Sequence, residues 1–343
     1  MTKVNKYTYL LALLASLVSI LSSGVTALAQ DDGARAYWNA RSGTQMFSFQ
    51  HLPVNIGASD SKEFAPGQYI YPNSDIDGNI FFVTWARHMT LFNRPSVLAV
   101  NIVGGSVDVN VNIKAAPEFL PPGITPGTAF SQSSSGFGDP NAQLAVNLIG
   151  TPRLNSNVDL LNYEPTVSLD VAVMMVFPVG KYKSDKLINM GLNRWFGRVA
   201  FPLKWHFGVF SPGYMSSFEL IPSVWLFAEN SNFVGKKLGN DPLWSLEAHL
   251  THDFAPGLFG SLDMLYQSGF QSKVDGVEVG DELEIGNLGL TLNYQVSGNV
   301  MIRTEYSSNV FGSDNLETSI GRLQFIYSWS TANENAKKLM GGN

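Results

Sequence analysis

Over most of this chain apolar residues recur at every second position, a period that belongs to extended strands whose two faces meet different surroundings. Between 287 and 296, Asn287, Gly289, Thr291, Asn293 and Gln295 alternate with Leu288, Leu290, Leu292, Tyr294 and Val296. Between 194 and 207, Arg194, Arg198, Lys204 and His206 share one face, and Trp195, Val199, Phe201, Leu203, Trp205 and Phe207 the other. Between 243 and 254, Trp244, Leu246, Ala248, Leu250 and Phe254 stand opposite Ser245, Glu247, His249, Thr251 and Asp253. Twelve segments of this kind are predicted: 44–54, 81–92, 97–112, 141–148, 166–178, 194–207, 217–228, 244–254, 259–267, 284–296, 300–307 and 319–329. The first three are ambiguous in phase.

Alternation alone would also suit a secreted soluble β-sandwich, so length and aromatic placement decide the solvent. Trp195 and Trp205 lie ten residues apart on one face, as do Trp244 and Phe254. At about 3.3 Å rise and about 40° tilt, ten residues span roughly 25 Å, the height of an outer-membrane apolar band with an aromatic at each rim. The expected fold is therefore all-β, a transmembrane antiparallel barrel of twelve strands with short periplasmic turns and long extracellular loops. Asn93-Arg94-Pro95, Ala255-Pro256-Gly257 and Ser297-Gly298-Asn299 supply short turns after the second, eighth and tenth strands. The link from Ile149 to Pro165 falls on the turn side yet is long. The link from Pro117 to Gly138 is rich in Pro, Gly and Ser and lacks periodicity; it is either an extracellular loop or a segment folded into the lumen. Trp329 closes the last strand with Tyr327, the aromatic finish that barrel-assembly machinery reads, and makes a fifth interface aromatic.

Before the strands, Lys3 and Lys6 precede an apolar run from Tyr9 to Leu21, followed by the small-x-small site Ala27-Leu28-Ala29. That order predicts a secretory signal at 1–29, cleaved before Gln30. The barrel then occupies 30–329, and 330–343 forms a polar, disordered tail. The competing reading of the N-terminus is a membrane anchor.

Composition narrows the classes. Only 15% of the 343 residues are charged, against roughly 25% in soluble domains. Past the first thirty residues nothing reaches the roughly 18 apolar positions of a membrane helix. The formal charge of −6 becomes −8 once Lys3 and Lys6 leave with the signal, because 20 basic residues then face 28 acidic ones. That balance opposes a nucleic-acid partner. With 0 Cys, disulfides and thiolate chemistry are excluded. The carboxylate pairs Asp31-Asp32 and Asp281-Glu282 read as solvated loop residues rather than metal ligands, and no cofactor motif is present.

Several runs resemble one family. Gly136-Phe137-Gly138-Asp139-Pro140, Val146-Asn147-Leu148-Ile149-Gly150, Phe177-Pro178-Val179-Gly180-Lys181-Tyr182 and Leu187-Ile188-Asn189-Met190-Gly191-Leu192-Asn193-Arg194-Trp195 are similar to segments of the MetA-pathway of phenol degradation family. Ala36-Tyr37-Trp38, Asn240-Asp241-Pro242-Leu243 and Asp275-Gly276 add weaker landmarks. The chain departs from the family pattern at Ser268-Gly269-Phe270 and in its tail. The resemblance implies an outer-membrane channel for aromatic or other hydrophobic compounds, lipid-like ones in some relatives.

With the polar face of each strand turned inward, the lumen from the fifth predicted strand onward carries Asp170, Arg194, Arg198, Lys204, Glu219, Glu247, Asp253, Asp263, Arg303, Glu305 and Arg322. Five basic residues against six acidic make a nearly neutral wall, unsuited to selecting small ions by sign. Arg194 and Arg198 form a candidate positive rung for a carboxylate or phenolate. Met174, Val176, Phe196, Ile221, Trp225, Phe227, Phe259, Leu265 and Ile326 also point inward; they are either an apolar track for solute or interior packing. The substrate path is thus expected along Arg194, Arg198, Lys204, Glu247, Asp263, Arg303, Ile221, Trp225 and Phe227. The expected function is passive uptake of hydrophobic or aromatic solutes, without a cofactor or metal, the partners being outer-membrane lipids, the solute and the assembly machinery. Alternatives are a general or structural porin and a lipid-modifying enzyme. The enzyme would need a nucleophile beside His51, His88, His206, His249 or His252; of these His206 and His249 face the lumen and His252 faces outward.

Overall fold

The computed structural model describes residues 32–58, 75–112, 129–156, 158–159, 162–209, 211, 213–279, 282–312 and 316–330. In chain order the strands are β1 (Thr44–Ala58), β2 (Asp75–Leu91), β3 (Arg94–Asn112), β4 (Ala129–Phe137), β5 (Asn141–Ile149), β6 (Val167–Val176), β7 (Phe196–Ala200), β8 (Leu203–Gly208) and β9 (Met215–Phe227). They continue as β10 (Asn230–Phe233), β11 (Lys236–Asn240), β12 (Leu243–Ala255), β13 (Leu258–Gly269), β14 (Ser272–Val274), β15 (Val277–Val279), β16 (Leu283–Gln295), β17 (Val300–Gly312) and β18 (Leu316–Ser330). One antiparallel sheet runs β12-β13-β16-β17-β18-β1-β2-β3-β5-β6-β7-β9 and closes because β9 also pairs with β12. β7 and β8 are two halves of one spanning strand, so the closed barrel has twelve strands. Closure leaves no unpaired edge in lipid, which is the condition for a sheet to cross a membrane.

Local chemistry sets the joints. Phe92 and Asn93 both take left-handed backbone (φ 49° and 64°) and turn β2 into β3 in two residues, as the twist of a hairpin demands. Pro202 interrupts β7 and β8 because it has no N–H to give. Its carbonyl still accepts from Asp170 N at 2.9 Å, and Phe201 N donates to Pro222 O at 2.9 Å, so pairing on both sides survives the break.

All twelve predicted segments are spanning strands, and the predicted faces hold. Trp195, Trp205, Trp244, Phe254 and Tyr327 are 51–63% exposed on the outside, while all eleven predicted lumen charges are buried. Trp329 is half-buried and stacks on Tyr327 at 5.7 Å. The first three strands, of uncertain phase, place Leu52, Ile80, Phe82 and Val103 inside and Phe49, Phe81 and Ile102 outside.

Two expectations change. Ala129–Phe137, expected to lie in an aperiodic link, is β4, paired with the extracellular extension of β3 from Gly104↔Phe137 to Asn112↔Ala129. The apparent lack of period reflects composition: serines on a strand above the lipid need not alternate with apolar residues. The rest of the 117–138 link that precedes Ala129 lies outside the described residues, as do the signal, Asp31, and all of the tail except Ser330. Second, β10, β11, β14 and β15 form a four-stranded extracellular sheet that the sequence did not announce. Asp275-Gly276 (φ 50° and 80°) turns β14 into β15, and Val234-Gly235 (φ 49° and 74°) turns β10 into β11.

Candidate functional site

The lumen is occupied. Residues 32–39 enter from the periplasmic end and coil inside the barrel, and side chains from several strands hold them. Gly33 and Arg35 adopt left-handed backbone (φ 81° and 61°) and bring Ala36 N to Gly33 O at 3.2 Å. A side chain at Gly33 would crowd the end of Arg322 at 2.9 Å and strain the left-handed backbone, so glycine suits the coil where it passes the wall.

The coil is bound by charge. Arg198 on β7 donates to Asp32 Oδ2 at 2.7 Å and to Glu247 Oε1 on β12 at 2.6 Å, while Asp32 N donates to Glu247 Oε2 at 2.8 Å. Arg35 pairs with Asp253 at 2.6 Å and donates through Nε to Thr251 at 3.0 Å. Glu219 on β9 accepts from Arg35 N at 3.0 Å and Trp38 Nε1 at 2.8 Å. Lys204 on β8 pairs with Asp170 at 2.5 Å and donates to Tyr37 O at 2.6 Å. Arg35 also lies 4.1 Å from the ring centres of both Trp38 and Phe259. Expected as a solvated loop carboxylate, Asp32 is instead buried with Arg198.

The coil is also seated by shape. Ala145, Ala172 and Ala200 stand side by side on β5, β6 and β7 and, with Ile221, pack against Tyr37. Three small side chains in adjacent strands make a hollow that the phenol ring fills, and its hydroxyl donates to Asp32 Oδ2 at 2.7 Å. The long 150–166 connection has a role here: Asn39 Nδ2 donates to Thr151 Oγ1 at 2.9 Å and Ser42 N to Leu154 O at 2.7 Å. Thr151 and Leu154 thus brace the chain as it passes into β1.

Beyond the coil a cavity of about 280 Å³ remains against the wall of β1, β2, β3, β17 and β18. The extracellular half is different in kind. Leu52, Val54, Ile80, Phe82 and Val103 on the wall pack with Ile188 and Met190 from the 177–195 segment and with Phe233, Leu238 and Val274 of the extracellular sheet. A neighbouring cluster joins Phe196, Trp225 and Leu243 to Leu192, Phe270 and Leu283. Asp139 anchors this cap, accepting from Gly180 N and Leu192 N at 2.7 Å each.

The predicted path residues therefore divide. Arg198, Lys204 and Glu247 hold the coil. Asp263 accepts from Ser261 at 2.5 Å and Thr291 at 2.6 Å and meets His249 Nδ1 at 2.7 Å. Arg303 faces the cavity. Ile221 packs under Tyr37, and Trp225 and Phe227 pack in the cap. The expected Arg194–Arg198 rung does not form: Arg198 is committed to two carboxylates, while Arg194 rises into the cap, donating to Asn240 Oδ1 at 2.6 Å with Phe227 5.1 Å away. His252 faces outward as expected and lies 2.9 Å from Ser216 Oγ; among the described residues no carboxylate bonds it, so the pair lacks the orienting third member of a nucleophilic site. Nor does any group among them suit a metal ion.

Comparison with known proteins agrees with this geometry. Residues 59–322 match the model of the family described as MetA-pathway of phenol degradation. Among solved structures, the COG4313 outer membrane channel from Pseudomonas putida F1 superposes with a TM-score of 0.66 at 14% identity, over 87% of this chain and 100% of that one. A FadL homologue from Pseudomonas aeruginosa is far more distant, with a TM-score of 0.38 at 8% identity over 84% of this chain and 90% of that one. No curated protein matches the sequence. The likeness to the Pseudomonas putida channel shows the closed antiparallel barrel fold.

Proposed function

The chain belongs to the MetA-pathway of phenol degradation family, and on that premise we propose that it is a channel for passive diffusion of hydrophobic or aromatic small molecules, gated by its own residues 32–39. The carrying observation is the apolar extracellular half of the lumen. A general porin has no use for Leu52, Ile80, Phe82, Val103 and Trp225 on its inner wall. A small aromatic burying about 150 Å² there would gain about 4 kcal/mol, enough to draw it from water and weak enough to release it.

Lower down, the solute meets the coil. Moving it separates Asp32 from Arg198 and Arg35 from Asp253 and withdraws Tyr37 from its alanine seat. Each of these contacts can be remade, and nothing in them requires an energy source. Export by the 1–29 signal fits the arrangement, because cleavage before Gln30 leaves a free end two residues from Asp32. Outside, the apolar face meets outer-membrane lipid, and the Tyr327 and Trp329 finish suits the assembly machinery.

The test is uptake by liposomes of phenol, toluene, a long-chain fatty acid and a sphingoid base, against a sugar control, with the intact protein and with residues 32–39 deleted. Uptake of the aromatic compounds at least tenfold above the sugar is expected from the intact protein, with faster passage after deletion. Equal passage of sugar through the intact protein would make it a general porin.

A further inference from the structure

One cation in the lumen differs from the others. Arg303 on β17 is 9% exposed and lines the 280 Å³ cavity, yet among the described residues it makes no hydrogen bond or ion pair; its Nε is buried and unpaired. The Phe259 ring lies 5.7 Å from it, and Arg322 is a like charge near enough to act on it. The carboxylates near enough to act on it are Glu305, Glu219 and Asp263, and each is engaged elsewhere. Glu305 holds Arg322 at 2.7 Å, Glu219 holds the coil, and Asp263 is bound by Ser261, Thr291 and His249. A buried guanidinium whose donors are unspent is costly unless something accepts from it.

The rest of the cavity says what that acceptor is attached to. Leu52, Phe82, Met301 and Ile326 line it together with Arg303 and Gln324. A polar end thus faces an apolar body, the division of an amphiphile. We propose that this cavity is a carboxylate subsite, in which Arg303 receives the anionic head of an aromatic or aliphatic monocarboxylate while its apolar part lies against Leu52, Phe82, Met301 and Ile326. A planar guanidinium suits a carboxylate in a two-pronged contact. Because Asp32 and Asp170 also line the cavity, a monoanion is favoured over a doubly charged phosphate. The inference rests on the channel reading only for how the solute arrives.

The probes are 4-phenylbutanoate and its neutral counterpart 4-phenylbutan-1-ol. Binding to the full mature protein in detergent is measured by calorimetry, and entry into liposomes is measured in parallel. The acid is expected to bind at least tenfold tighter than the alcohol. Arg303→Gln should abolish that preference while leaving the alcohol's affinity within about twofold, and Arg303→Lys should keep part of it. Barrel integrity of each variant is read from its heat-dependent gel mobility; should Arg303→Gln fail to fold, the same comparison is made with Arg303→Lys, for which an unchanged preference overturns the subsite. An equal preference in wild type and Arg303→Gln, or none in wild type, also overturns it. Preference retained without liposome entry of either probe would instead defeat the channel reading and leave the subsite standing.

Discussion

The two halves of the lumen are closed by opposite means. At the extracellular end Ile188, Met190, Phe233 and Leu238 close it by burying apolar surface against the wall; at the periplasmic end residues 32–39 close it with buried ion pairs around Arg198 and Arg35. The difference matters for passage. An apolar closure can admit an apolar solute by exchanging one set of contacts for another of similar strength. A charged closure offers such a solute nothing and must move aside. On the proposed reading, the extracellular half selects and the periplasmic half gates.

The largest expected effect separates those roles. Deleting residues 32–39 should raise single-channel conductance in planar bilayers at least tenfold, because the twelve-stranded wall closes without them. If conductance does not change, the cap is the true barrier and the assignment of roles is reversed. Next is Arg198→Ala, which leaves Asp32 and Glu247 buried without their cation. Removing one partner of a buried pair costs about 3–5 kcal/mol, so the heat-induced gel shift should fall to lower temperature and brief openings should become frequent. A variant as stable and as closed as the parent would mean that these contacts do not hold the coil.

The cap supplies the counter-test. Ile188→Ala, at a fully buried side chain, should cost about 2–4 kcal/mol and weaken selection of aromatic solutes over sugar without opening the periplasmic end. Smaller again is Ala172→Leu, which fills the seat of Tyr37. Overpacking should cost about 1–3 kcal/mol, with the strain relieved by expelling the ring, so open time should lengthen. A change in stability with no change in gating would show that Tyr37 is ballast rather than latch.

How far each half could be read beforehand follows from the same contrast. The twelve strands were legible because lipid forbids charge on every second residue, a constraint that acts on each position by itself. The faces followed, so Arg198, Lys204, Glu247, Asp263 and Arg303 were placed inside correctly. The coil was not legible: residues 32–39 have no period, and Asp32 and its partner Glu247 are 215 residues apart. Two signals could have found it. Ala145, Ala172 and Ala200 leave a hollow at one level of the wall, and the lumen's acidic excess of one is balanced by the net positive charge of Asp32, Arg35 and Arg41 as the chain enters. The short strands of the extracellular sheet were hidden for another reason. A turn at Val234-Gly235 forces a β-branched residue into left-handed backbone, which local preference argues against.

The smallest prediction sets the lower bound of the contrast, an ion pair in water. In the extracellular sheet Lys236 Nζ lies 2.6 Å from Asp275 Oδ2, and Lys237 N donates to Oδ1 at 3.0 Å. The Lys236 hydrogen bond, and after it the backbone N–H, hold the Asp275 carboxyl below its ordinary value. A lowered value in the folded state means that the stabilisation is complete above the ordinary carboxylate range near about 3.9 and is lost as pH falls through the lowered value. With side chains 30% and 46% exposed, the pair contributes only a few tenths of a kcal/mol. Asp275→Asn should leave the gel shift of the barrel unmoved at pH 7 and slightly speed amide exchange of β14 and β15, an effect that fades as pH falls through the lowered value of the carboxyl. A loss of the size expected for Arg198→Ala would mean that solvent screens this end of the molecule no better than the lumen does, and the distinction between selecting and gating halves would lose its physical basis.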